Sequence, residues 1–194
     1  KIEEAMKKLE ELNRQTQEMM AGLQEEMGDG EAMTGPAKQK MQELAQKMAE
    51  VADGQKGVRD ETDALREEME RKIAALSASP KIVVFGCECA ADARRLESAD
   101  TAVLNLMCSG LLPPSFVEYA LRGGADGVLV AGCREGSCAY RFGTQWTQQR
   151  LRGAREPHLR AANVPPERLR LAWADRHEGS GLQAALDEFR KHLQ

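Results

Sequence analysis

The sequence predicts an α/β fold: a three-layer domain with a four-stranded parallel sheet over residues 81–194, preceded by an all-α helical, coiled-coil hairpin over residues 1–76. Three observations carry this. Apolar residues recur every seven positions through the first part and then the pattern stops. A polar stretch ending in proline, SASP at residues 77–80, marks a linker. Beyond it, short β-branched runs alternate with helical stretches, as in βαβ units.

The first part has no aromatic residue and is dominated by Glu, Lys, Gln, Met and Ala. Ile2, Leu9, Thr16 and Leu23 form one seam line; Ala5, Leu12 and Met19 form the other. The stripe breaks at GDGEAMTGP, residues 28–36, where Pro36 suits the first turn of a new helix. A second stripe follows, with Leu44, Val51, Val58 and Leu65 on one line and Met41, Met48, Met69 and Leu76 on the other. Gly54 and Gly57 weaken this helix by roughly 1 kcal/mol each relative to Ala. The register carries through them, which favours one long helix. A heptad seam is ordinarily a packing surface, and nothing in this one points to a cofactor.

After the linker, KIVVFG (81–86), TAVLNLM (101–107), ADGVLVAG (125–132) and RLRLAWA (168–174) read as strands. Helices are expected over residues 90–98, after Pro113 and Pro114, over residues 144–161 with a break near Gly153 and Pro157, and over residues 181–193. Charged residues make up 30% of the chain and the net charge is −4, which argues against a nucleic-acid footprint. No apolar run is long enough for a membrane span. The chain opens KIEEAMKK, with neither an initiator Met nor a signal peptide, as a fragment or a processed product would.

All five cysteines lie between Cys87 and Cys138. An odd count without a secretory signal disfavours a disulfide framework and fits metal or redox chemistry in a reducing, cytoplasmic compartment. Cys87, Cys108 and Cys133 each fall at the carboxyl end of a predicted parallel strand, where the cofactor crevice of an open α/β sheet lies. Cys89 is two residues past Cys87, and Cys138 lies in the same loop as Cys133. A lone cysteine at a strand end is usually a small buried hydrophobe. Several on one edge point instead to a soft metal centre, an iron–sulfur cluster or a thiolate-held zinc. Gly86, Gly110, Gly132 and Gly136 flank these cysteines and let backbone approach a bulky ligand.

The stretches VVFGCEC, LNLMCSGLLPPSFVEYAL, GADGVLVAGCREGSCAYRFG and PPERLRLAWA resemble the delta-subunit family of methyl-viologen-reducing hydrogenase, also called the hydrogenase iron–sulfur subunit family. The resemblance covers about residues 80–193. It implies a [2Fe–2S] cluster and an electron-relay role between a hydrogenase or formate dehydrogenase module and a flavin-bearing, heterodisulfide-reductase-like partner, with ferredoxin-type domains as further partners. Cys108, Cys133 and Cys138 match the family's motif cysteines. The family's first motif usually has two residues between its cysteines, whereas this chain has Cys87-Glu88-Cys89. Cys87 is the expected fourth ligand and Cys89 the reserve. The helical hairpin lies outside the resemblance.

Two other functions fit the same residues: a zinc- or cluster-stabilised binding module without redox turnover, and a thiol–disulfide protein using Cys133 and Cys138. His158 and His192 read as surface residues; His177 follows the fourth strand and shares the cysteine edge with Asp175 and Arg176. Arg134 and Arg141 neighbour cysteines, and either tune a cluster or are solvated charges. Trp146 and Trp173 read as core or interface anchors. There is no Ser–His–Asp arrangement, phosphate loop or dinucleotide fingerprint.

Overall fold

The computed structural model describes residues 35–194 together with Glu11, Arg14, Gln15 and Glu18. Those four early residues are helical, and Arg14 bridges Glu11 at 2.6 Å and Glu18 at 2.8 Å along the helix surface. The rest of the predicted first arm, its heptad stripe and most of the 28–36 break lie outside the described residues.

The second arm is one helix, α1, Gly35–Ala75, uninterrupted at Gly54 and Gly57. Pro36 sits in its first turn, where the missing N–H has no intrahelical partner to lose. The expected seam is only partly buried: Val51, Met69 and Leu76 are buried, whereas Met41 and Met48 are exposed.

The chain divides into two compact units, Lys1–Leu65 and Arg66–Gln194, so the division falls inside α1 and not at the 77–80 linker. Met69, Ile73 and Leu76 are buried, and the N–H groups of Ser77 and Ala78 both donate to the Ala99 carbonyl, at 2.9 and 3.0 Å. The last turns of α1 and the linker are thus built into the α/β unit.

That unit is a four-stranded, all-parallel sheet of β1 (Ile82–Cys87), β2 (Thr101–Leu106), β3 (Gly127–Gly132) and β4 (Leu169–Trp173), in the order β2-β1-β3-β4. β1 and β3 are central and buried at every position, which is why both read as unbroken apolar runs. Three helices complete it: α2 (Pro114–Arg122), α3 (Gly143–Leu151) and α4 (Gly179–His192). Ile82, Val84, Leu129 and Ala131 share one core cluster with Leu182, Leu186 and Phe189 of α4. Strand alternation sends Val83, Phe85, Val128 and Val130 to the opposite face, where α2 packs on β3 through its buried residues Phe116, Val117 and Ala120. This is the expected three-layer arrangement.

Two expected helices differ. Residues 90–98 form a turn and a short 3₁₀ helix, Ala93–Leu96, capped by Asp92, whose side chain accepts from the Arg94 N–H at 3.2 Å. A Cβ at Gly86 would lie 2.5 Å from the Ala93 Cβ, so this segment rests directly on β1 with no room for an α-helix between. The 144–161 helix stops at Leu151, because Gly153 takes a left-handed φ of 79° and Pro157 has no N–H to continue it.

Candidate functional site

In the order β2-β1-β3-β4 the chain leaves β1 toward one edge of the sheet and returns past it to form β3 on the other side. The carboxyl ends of β1 and β3 therefore bracket the crevice where ligands bind in open α/β sheets. Cys87 is the last residue of β1, one position earlier in structural terms than the loop expected, and Cys133 directly follows β3. Their sulfurs lie 4.0 Å apart. Two thiolates on one tetrahedral centre with bonds of about 2.3 Å lie about 3.8 Å apart, so this pair already has ligand spacing.

Cys108 caps a short 3₁₀ helix, Ser109–Leu111, and the Gly110 N–H donates to its Sγ at 3.4 Å. Cys138 comes from the loop after β3. A Cβ built on Gly143 would stand 2.4 Å from the Cys108 Sγ and 3.0 Å from the Cys138 Sγ, so both sulfurs converge over the first residue of α3. Cys87 and Cys89 both approach the Met107 carbonyl, at 3.8 and 4.0 Å. Cys87 and Cys133 pack with Ala90, and Cys89 and Cys138 lie against that group. The five thiols are free and gathered at one rim, with Cys87, Cys108 and Cys133 buried. Among the described residues no group of three or more His, Cys, Asp or Glu side chains is arranged to hold a single metal ion.

The thiols differ in acidity. The Cys108 S–H donating to Cys87 pulls the Cys87 thiol down to about 5 against the opposing effect of burial, with help from the backbone N–H groups of Cys89 and Ser109. Burial, and then the charge on Cys87, push Cys133 up to about 12. Cys108 is raised as the donor to Cys87 and by burial, and Cys89 is raised chiefly by burial. Cys87 thus forms a thiolate readily, whereas Cys89, Cys108 and Cys133 hold their protons more tightly.

The loop that carries Cys133 and Cys138 is clipped to the segment after β4. The Arg134 N–H donates to Asp175 Oδ1 at 3.2 Å, and its guanidinium grips both Glu178 oxygens, at 2.5 and 2.6 Å. Ser137 donates to Asp175 and to the Arg134 carbonyl. Thr144 Oγ1 donates to the Cys133 carbonyl at 2.9 Å from a buried position. Arg134 is therefore a clamp for the loop, and Asp175 serves the site from within. His177 is exposed on the same edge, and His158 and His192 are exposed far along the chain from the thiols. Sequence reasoning missed Gly143, Thr144, Ser137 and Glu178.

The family model of the methyl-viologen-reducing hydrogenase delta subunit matches residues 82–194. The chain belongs to that family. The delta-subunit match covers the whole sheet and every cysteine, and leaves out all of α1. Over 87 residues the chain is 37% identical to an F420-non-reducing hydrogenase iron-sulfur subunit of Archaeoglobus profundus, covering 45% of this chain and 63% of that one. It is 32% identical to the vhc F420-non-reducing hydrogenase iron-sulfur subunit of Methanococcus voltae, covering 56% of this chain and 81% of that one. It is also 40% identical over 92 residues to a ferredoxin/F420H2-dependent CoB-CoM heterodisulfide reductase subunit of Methanosarcina acetivorans. There the delta-subunit-like stretch covers 47% of this chain but only 12% of the much longer reductase polypeptide. Among the described residues, no helix is long and apolar enough to cross a membrane.

Proposed function

We propose that this delta-subunit-family chain is an electron-transfer component that holds a [2Fe–2S] cluster through Cys87, Cys108, Cys133 and Cys138, with Cys89 in reserve. It would relay electrons between a hydrogenase or formate dehydrogenase module and a flavin-bearing, heterodisulfide-reductase-like partner. The observation that carries this reading is the convergence of thiols from three strand ends on the switch-point crevice, with Cys87 and Cys133 at 4.0 Å and Cys108 and Cys138 sharing the space above Gly143. The donors fit: thiolates are the ligands such clusters take, and the absent Cβ at residue 143 leaves the room that the Cys108 and Cys138 sulfurs occupy. The names of two hydrogenase relatives, both iron-sulfur subunits, support the same reading.

When bound, the cluster supplies reversible one-electron chemistry. The chain's own part is to bind and orient. The Gly110 N–H already points at the Cys108 sulfur, a contact that stabilises negative charge there. The Arg134–Glu178 clamp fixes the loop of two ligands. Anaerobic purification followed by iron and sulfide counts and an EPR spectrum of the dithionite-reduced protein tests the proposal. About two irons and two sulfides per chain with a one-electron signal are expected. A colourless protein carrying zinc, or no metal, would overturn it. The acidic thiol of Cys87 favours a second reading, a thiol–disulfide protein. That reading predicts metal-free protein whose thiol activity survives Cys108→Ser, whereas the cluster reading predicts loss of iron in the same variant.

A further inference from the structure

The stretch after Cys138 has a charge balance unlike that of the chain. Between residues 139 and 160 stand five arginines, Arg141, Arg150, Arg152, Arg155 and Arg160, and one acidic residue, Glu156, in a protein of net charge −4. Glu156 is already paired with His158. Among the described residues no carboxylate forms an ion pair with any of these five arginines. Arg94, Arg134, Arg170 and Arg190, elsewhere in the same unit, each hold one.

Two of the five are organised around exposed aromatics. Phe142 and Trp146 stack, with ring centroids 5.9 Å apart. Arg141 lies over Phe142 at 5.8 Å and Arg155 over Trp146 at 4.5 Å. Phe142 is 47% and Trp146 37% exposed, large apolar rings left in water where burial was available to a folding chain. Arg141 reaches its place through a positive φ of 62°, unusual for a residue with a side chain. Arg150 is half-buried: one guanidinium N–H donates to the Gly110 carbonyl at 2.7 Å, and its buried Nε has no partner among the described residues. Burial and the nearby charge of Arg155 both disfavour its cationic form, an imbalance that incoming negative charge would relieve.

This face adjoins the thiols. Phe142 precedes Gly143, over which the Cys108 and Cys138 sulfurs converge, and Arg150 holds the backbone two residues beyond Cys108. Tryptophan and arginine together at the centre of a surface are the composition of binding hot spots, and unpaired charge of one sign steers a partner of the other. We propose that the Arg141–Phe142–Trp146–Arg150–Arg155 face docks an acidic segment of a partner protein, carboxylates engaging the guanidiniums and an apolar side chain covering the stacked rings. That this partner is the electron carrier rests on the relay reading above; the docking chemistry does not.

The test is fluorescence anisotropy of a labelled short peptide that alternates Glu with Leu and Phe, titrated with the full-length anaerobic protein. Binding is expected, weakening as salt is raised. An Arg141→Glu/Arg155→Glu double variant is expected to weaken it by about tenfold or more, and Phe142→Ala/Trp146→Ala to weaken it comparably. Arg170→Ala, remote and already paired, is expected to leave it unchanged. Equal binding by the Gln counterpart of the peptide, equal binding by an all-Glu peptide without apolar residues, or indifference to the two double variants would each overturn the proposal. Iron counted on the same sample separates the two claims. Protein with iron that ignores the peptide defeats the docking face alone, and iron-free protein that binds it defeats the relay alone.

Discussion

Gly143 lacks a side chain where two sulfurs already occupy the space one would need. A methyl group there would overlap the Cys108 sulfur at 2.4 Å and press the Cys138 sulfur at 3.0 Å. On the proposed cluster reading, Gly143→Ala is therefore expected to fold and to lose cluster loading, with iron per chain falling by about tenfold or more under limiting iron, since small displacements of ligands and their supports cost that much in affinity. Iron analysis beside a far-ultraviolet dichroism spectrum checks it; full loading of a folded Ala variant would refute the cradle. At this scale the sequence was legible where chemistry is carried by residue type. Cysteines are rare and their positions after apolar runs could be read directly. Gly143 was not legible, because its role comes from atoms distant in sequence that happen to approach it.

Among the elements, the strands were the most readable. Each was bounded within a few residues; β1 and β3 read most plainly, since apolar runs buried on both faces have no alternative use, whereas β4 is only partly buried. The connections were less so. Residues 90–98 carry helix formers, yet Gly86 lets Ala93 sit directly on the strand, and a tight 3₁₀ turn results. Contacts between elements were invisible in the sequence. Arg190 of α4 grips Asp100, at the entrance to β2, through two bonds of 2.5 and 3.0 Å, and Ser98 and Thr101 donate to the same carboxylate. Burial raises the Asp100 carboxyl, and these donors outweigh it, holding it at about 2 against an ordinary 3.8. A carboxyl lowered on folding contributes stability that is fully present above its unfolded value and disappears as pH falls through its folded one. Asp100→Asn is expected to cost about 2 kcal/mol at neutral pH. It is also expected to flatten the loss of stability between pH 3.8 and about 2. Urea midpoints measured at stepped pH check both, and an unchanged acid limb would remove the bridge from the account.

For the whole molecule, the boundary drawn by composition and the boundary drawn by packing differ. Composition changes at the 77–80 linker, but Met69, Ile73 and Leu76 are buried and the second compact unit begins at Arg66. The heptad stripe could not reveal this, because a methionine on a seam looks the same whether it faces a helix or a sheet. Met69→Ala in the full chain is expected to destabilise the α/β unit by about 2–5 kcal/mol, as buried truncations do. Met48→Ala, at an exposed position, is expected to stay within about 0.5 kcal/mol. Chemical denaturation followed by the fluorescence of Trp146 and Trp173 distinguishes them, and equal effects would return the last turns of α1 to the helical part.

The strand order has a consequence for inheritance. A set of thiols gathered from the ends of β1, β2 and β3 exists only when both crossovers joining those strands are present, so no excised loop or hairpin can carry it into another protein. It travels as an entire cassette or not at all. A stretch of 92 residues is shared with a reductase polypeptide of which it makes up 12%.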